Sequence, residues 1–565
     1  MRKRYFAKLT PTCPPVIENL QKKGVLIKED GVRAFFKCPA CGAIATYESP
    51  SEIFPYGNVQ CSCDFDLTAL LESLGLQRHN VRMCPKINVT KVPIHELAEV
   101  AEEILAETSK IVTCGQTLYI ADYTTGRLSS LEEADLVRIL STHCVMVRYD
   151  ARTKQEEPID PPAKLVRLLL GSQQRTMVPE VLGVIRQPFV RSDGSLCMTP
   201  GYIPDLKVLA AFDPTNFAPY AWEGHVSRSD VEKALEICED LYCEFYPADA
   251  SMKSAMIGAG LLAVQRGVID RAPMVLVQGN APGSGKSTLA KVYARLATPE
   301  NIAESSYPET AEEAAKQLLS ALTMAPGAVF FDNIEGVMPA YPAMCTCLTE
   351  PLYERRVLQR STLRQVITRT FFVGTGNFIT PQADLRRRVF PVKLLAESEN
   401  PEQRSFERDI ESYLEAKRSE IVMAHLKLVA GYLQSGEKAK VRTLAGMSAF
   451  TQRCREPLAW MERPDPAEPM LKILDEGDDD LAKRYEFLRR LQKLFGDETI
   501  SVSAIARQSD SELLDILADL NVMPNGRLAR ESLGWLLRGL AGFPVRNLEI
   551  VRLGKPSHYR IRELK

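Results

Sequence analysis

Residues 279–288 read GNAPGSGKST, a stretch suited to holding phosphate. Gly279, Gly283 and Gly285 allow a tight turn whose successive backbone N–H groups surround anionic oxygens, with Asn280 and Ser284 between them. Lys286 can reach the β- and γ-phosphates of ATP, the Ser287 hydroxyl can ligate Mg²⁺, and Thr288 completes the binding set. The usual GxxxxGK[ST] spacing would put glycine where Asn280 stands; Gly279, one residue earlier, absorbs the turn. Such a loop works only between a strand and a helix whose N-terminus favours negative charge. Met274–Val277 is an apolar run of strand type, and Ser287–Arg295 reads as a helix.

Two further strands are expected to bring partners to this loop. Ala328–Asn333 (AVFFDN) is an apolar strand ending in Asp332, which would orient Mg²⁺ and its waters. Asn333 stands where a catalytic glutamate often follows, and Glu335 is the candidate for polarising the attacking water, a surface-loop glutamate being the alternative. Thr370–Asn377 (TFFVGTGN) places Asn377 between the two preceding motifs, where it could hold that water near the γ-phosphate. Asp384–Arg388 (DLRRR) then leads into a strand at Val389–Leu394. Arg387 or Arg388 is expected to point into a neighbouring subunit's γ-phosphate as an arginine finger, a solvated basic turn being the alternative.

This order of motifs resembles the AAA+ ATPases. More narrowly it is similar to the primase–helicase proteins of phages and integrated elements, related to poxvirus-type and superfamily 3 helicases. The matching text is FFDN (330–333), ERRVLQR (354–360), VGTGN (373–377), DLRRRV (384–389) and, upstream, RSDGSLCMTPGY (191–202). The resemblance covers roughly residues 165–565 and implies a ring, usually a hexamer, with ATP between subunits and DNA in the central channel. It also implies translocation on one strand and duplex unwinding. Loops between the aspartate strand and the sensor strand commonly face the channel in this family. Here that interval carries Arg355, Arg356, Arg360, Arg364 and Arg369, suited to sequence-independent phosphate contact. Arg356 could instead contact ATP across the interface. The upstream segment departs from the family's glycine–tyrosine–aspartate turn, reading Gly201-Tyr202-Ile203-Pro204-Asp205.

The ends of the chain carry further signals. Cys38 and Cys41 form C-x2-C, and Cys61 and Cys63 form C-x-C after a 19-residue interval. Four thiolates can build a tetrahedral Zn²⁺ site, and the unit resembles the zinc ribbon that precedes many primase domains. Residues 64–225 supply no clear carboxylate trio for priming chemistry. His79 and His95 lie near this region without ligand spacing and read as structural or surface residues. At the other end, Ser501–Ala506, Ser511–Leu520 and Gly526–Gly539 read as helices, followed by strands at Leu548–Leu553 and His558–Ile561. That order suggests a winged helix. Residues 521–565 hold nine Arg or Lys against three Glu, a local +6, which favours DNA. Arg527, Arg530 and Arg538 would approach a groove, with Lys555 at the wing tip.

The whole chain of 565 residues is too long for one core. Its texture divides into a zinc-binding region at 1–90, a mixed α/β pre-helicase domain at 91–225 and the ATPase core at 226–400. A helical linker region follows at 401–480, then the winged helix at 481–565. The expected fold class is therefore multidomain α/β, built on an AAA+ P-loop core. A net charge of −2 rules out a uniformly basic chain but not a local groove. Fourteen dilute cysteines fit a reducing cytoplasm, and no run of 18 apolar residues calls for a membrane. The leading expectation is an oligomeric ATP-dependent DNA helicase of a mobile element, working beside other replication proteins. The alternative is a DNA-stimulated ATPase switch for transposition, recombination or defence.

Overall fold

A computed structural model describes residues 4–9, 26–29, 33–37, 44–48, 58–60, 81–108, 110–172, 175, 177–281, 283–356, 363–395, 408–475, 479–520, 522–523, 527–542, 544–545, 547–553 and 558–564. Two helices, α1 (Arg228–Leu241) and α2 (Ala250–Gln265), lead into the central sheet. The chain then lays down β1 (Met274–Gly279), α3 (Lys286–Ala297), β2 (Ile302–Ser305), α4 (Ala311–Leu322) and β3 (Ala328–Met338). A hairpin of β4 (Leu352–Arg356) and β5 (Leu363–Ile367) precedes β6 (Phe371–Pro381) and β7 (Val389–Leu394), and the long helix α5 (Ile410–Ser435) follows.

The five strands of the central sheet are parallel and ordered β2-β3-β6-β1-β7. Burial on both faces explains why β1 is apolar throughout MVLV rather than alternating. From β1 the chain goes to the far edge, returns through β3 to β6, and then crosses β1 to reach β7. That reversal opens a crevice at the carboxyl ends of the strands, where open α/β sheets hold ligands. The loop after β1 emerges into it. The helix following the loop is slightly longer than the sequence indicates, and β6 runs past Asn377 to Pro381 because β3 extends alongside it to Met338.

Packing crosses several of the borders suggested by sequence texture. One hydrophobic core runs from Ile185 to Met470, with α1 against α5, so it does not break at residues 225 or 400. Toward the N-terminus, an eight-stranded sheet joins strands from both sides of residue 90, Val81–Asn88 pairing in parallel with Val145–Asp150. A separate core spans Phe487 to Ile561, where helices Ser511–Asp519 and Arg530–Leu540 pack with strands Leu548–Arg552 and His558–Glu563. Among the described residues no helix is long and apolar enough to cross a membrane.

The large core also contains a titratable group. His425 on α5 is fully buried, its Nδ1 is 2.8 Å from the Ile421 carbonyl oxygen, and Tyr242 stands edge-on to its ring. Both side chains press on Gly260, where a Cβ would come within 2.5 Å of His425 Nε2. Burial pulls the His425 pKa down from 6.5 to about 4. The unfolded chain therefore takes up this proton below about pH 6.5, and the native state only below about pH 4. The stability it contributes at pH 7 is lost as pH falls through that window, about 3 kcal/mol in all. Denaturant unfolding between pH 7 and 4.5 should show this loss, and His425→Leu should flatten the slope.

Candidate nucleotide site

The loop between β1 and α3 is shaped by its glycines. Gly283 and Gly285 have φ of +75° and +84°, the left-handed region in which a side chain is strained. At Gly279 the constraint is space: a Cβ there would lie 2.2 Å from Ser284 Oγ and 2.9 Å from Lys286 Cδ. Asn280 is exposed, so the glycine requirement falls on Gly279. This accounts for the displaced first position of the motif. Lys286 is half-buried and donates to the Ala281 carbonyl oxygen at 2.9 Å and to Ser284 Oγ at 3.3 Å. Burial lowers its pKa, while the Asp332 carboxylate opposes that shift. Thr288, on the first turn of α3, borders a cavity with Lys291, Glu304 and Arg418.

Ser287 Oγ joins the loop to β3 through Asp332 Oδ1 at 3.0 Å. The β3–β6 register shifts between Phe331 and Ile334, and Asp332 and Asn333 form that step. Asn333 has φ of +52°. Its N–H donates to Thr375 Oγ1 at 3.1 Å, and its Nδ2 donates to Glu335 Oε1 at 3.1 Å. Thr375 Oγ1 in turn donates to Asp332 Oδ1 at 2.5 Å. Asn377 on β6 is in register with Gly279 on β1 and Glu335 on β3. Its Oδ1 is buried and accepts no hydrogen bond among the described residues. Lys286, Ser287, Asp332, Glu335 and Asn377 thus gather at the carboxyl end of the sheet. Thr375 is the participant that sequence reasoning missed; the small residues of GTG, set inside an apolar strand, were its signal.

The arginines divide. Arg387 and Arg388 lie on a turn at Ala383–Arg388, and among the described residues neither is bonded to the group around Lys286. Arg388 is turned inward, donating to the Asp384 carbonyl oxygen at 2.7 Å and pairing with its carboxylate. Arg387 is exposed, pairing with Asp384 at 2.5 Å. On the β4–β5 hairpin, Arg355 stands opposite Arg364, and Arg356 is exposed nearer the tip. Arg364 reaches Glu132 at 3.5 Å. The physical reason is its neighbour Gln365, which is clamped to the strands around residues 111–121. Gln116 N–H donates to Gln365 Oε1 at 2.5 Å, and Tyr119 Oη donates to the Gln365 carbonyl oxygen at 2.6 Å.

Arg527, Arg530 and Arg538 are exposed in the C-terminal unit, where Leu533, Leu537 and Leu540 of the same helix face the core. Cys38, Cys41, Cys61, Cys63, Arg360 and Lys555 lie outside the described residues. The strands on either side of Ile44–Glu48 pair with it, Lys37 with Ile44 and Gln60 with Thr46. Among the described residues no group of three or more His, Cys, Asp or Glu could hold a metal ion.

Taken together, the chain is a mixed α/β protein with a parallel five-stranded sheet consistent with a P-loop-like core. No family model matches it, and no curated protein matches it in sequence. Among solved structures, the apo C-terminal region of NrS-1 aligns with 76% of this chain and 99% of its own, at 13% identity and a TM-score of 0.31. A score that low does not define a shared fold.

Proposed function

We propose that this chain is an ATP hydrolase that drives an oligomeric motor along DNA, in replication of a phage-like or mobile element. The observation that carries the reading is the convergence of Lys286, Ser287, Asp332 and Asn377 where a phosphate loop ends a central strand. The donor set suits ATP and Mg²⁺: a loop that closes over Gly279, a hydroxyl and carboxylate side by side, and a buried acceptor left open. Mg²⁺, when bound, would neutralise charge between the phosphates.

The chain's own groups do the rest. Lys286 exchanges its bonds to Ala281 and Ser284 for phosphate oxygens, and Ser287 and Asp332 hold the cation. Glu335 accepts the proton of the attacking water, and Asn377 Oδ1 orients that water by accepting its other hydrogen. Arg387, from a neighbouring copy, stabilises the charge that builds on the transferred phosphoryl group. We assign Arg355, Arg356 and Arg360 to the DNA backbone, with the C-terminal unit as a winged helix contacting DNA through Arg527, Arg530, Arg538 and Lys555. The four N-terminal cysteines remain the candidate zinc ligands, and a hexameric ring is the proposed assembly.

The test is strand displacement. The protein should release an oligonucleotide from forked DNA only with hydrolysable ATP and Mg²⁺. Binding should weaken steeply with salt, as expected when several cations contact phosphates. ATP-controlled DNA binding without displacement would identify the switch instead, and absence of any ATP response would reject both.

A further inference from the structure

We propose that Thr375 is a positioning residue for the nucleotide site, its single hydroxyl setting the orientation of both candidate carboxylates. The inference rests on the nucleotide reading above. Thr375 is only 1% exposed, and both of its bonds go to site residues. A hydroxyl has one proton to give and lone pairs to receive. The proton goes to Asp332 Oδ1 at 2.5 Å, and a lone pair receives the Asn333 N–H at 3.1 Å. With Ser287 also donating to Oδ1 at 3.0 Å, one oxygen of Asp332 is committed to the protein. Oδ2 has no partner among the described residues and stays available to the cation.

The same hydroxyl reaches the second carboxylate through the backbone. Asn333 is held in a left-handed conformation, φ +52°, which is costly for a residue with a side chain. The bond from its N–H to Thr375 stabilises that turn, and the turn lets Asn333 Nδ2 donate to Glu335 Oε1. The flanking glycines show how closely the two strands approach. A Cβ at Gly376 would fall 2.1 Å from the Ile334 carbonyl oxygen, and one at Gly374 2.8 Å from Ile334 Cδ1. Only the residue between them can carry a side chain into the step. Its branched Cβ restricts χ1 and keeps the hydroxyl aimed.

Equilibrium binding of an ATP analogue carrying a methylanthraniloyl fluorophore, titrated with and without Mg²⁺, tests this without relying on turnover. Thr375→Val should bind the metal-free analogue within about twofold of the unaltered protein, while its tightening by Mg²⁺ falls about 10- to 100-fold, the usual effect of losing a ligand's supporting bond. Thr375→Ser, which keeps the hydroxyl, should retain most of the Mg²⁺ response. Asp332→Asn should lose it, and adding Thr375→Val to Asp332→Asn should cost little more. Thr375→Ala repeats the first arm if the valine fails to fold. An unchanged Mg²⁺ response in Thr375→Val or Thr375→Ala, or its full loss in a folded Thr375→Ser, would overturn the proposal. Failure of the unaltered protein to bind the analogue would instead refute the nucleotide site, and the positioning role with it.

Discussion

Lys286→Ala is expected to weaken ATP binding about 100-fold and to reduce turnover by at least a further 100-fold, the scale of losing a charge-assisted bond that strengthens in the transition state. The ammonium's bonds among the described residues, to Ala281 and Ser284, stay inside its own loop and stand where phosphate oxygens would compete. Burial lowers its pKa, and the Asp332 carboxylate counteracts this. Because the side chain is only half-buried, the melting temperature should change little. Calorimetric titration with ATP and Mg²⁺, run beside thermal unfolding, separates the outcomes. Retained affinity in a folded variant would place the nucleotide elsewhere and remove the basis for the motor.

The sequence made the site's chemistry more legible than its surroundings. The strand at Val389–Leu394 has the bounds its apolar pattern indicates, and the loop glycines announce a turn because Gly283 and Gly285 take a left-handed backbone that strains most side chains. Local rules decide such features. Thr375 was obscure because GTG at the end of an apolar run reads as a strand terminus; only the pressure of Ile334 against Gly376 reveals a strand that continues. The division at residues 225 and 400 followed texture, which reports local composition. The pairing of α1 with α5 joins helices far apart in sequence and leaves no local mark at either border. Arg364 shows the same limit. Its place in a cationic run pointed to DNA, and nothing local in the sequence announces that Gln365 fixes that strand against residues 116–119 and brings the guanidinium to Glu132.

The two arginines left unresolved by sequence are separated by their surroundings. Arg387→Ala should leave ATP affinity intact and lower turnover about 1,000-fold, the lower end of what an arginine supplied in trans contributes. Arg388 is the weaker choice, because its side chain is 11% exposed and tied to both the carbonyl and the carboxylate of Asp384. Its replacement should disturb the Ala383–Arg388 turn and show in stability. The Arg387 side chain is 62% exposed and, among the described residues, held by one surface ion pair, which costs little to release. A neighbouring copy can draw it away. Mixing makes the assignment decisive. Lys286→Ala subunits bind ATP weakly and do not turn it over but present Arg387, whereas Arg387→Ala subunits hold ATP but present no finger. Each alone should be inactive, yet an interface between the two types has one complete site, so turnover should return on mixing and pass through a maximum with their ratio. Inactivity of every co-assembled mixture would mean that Arg387 does not act across the interface. Full turnover in Arg387→Ala alone would remove it from the chemistry.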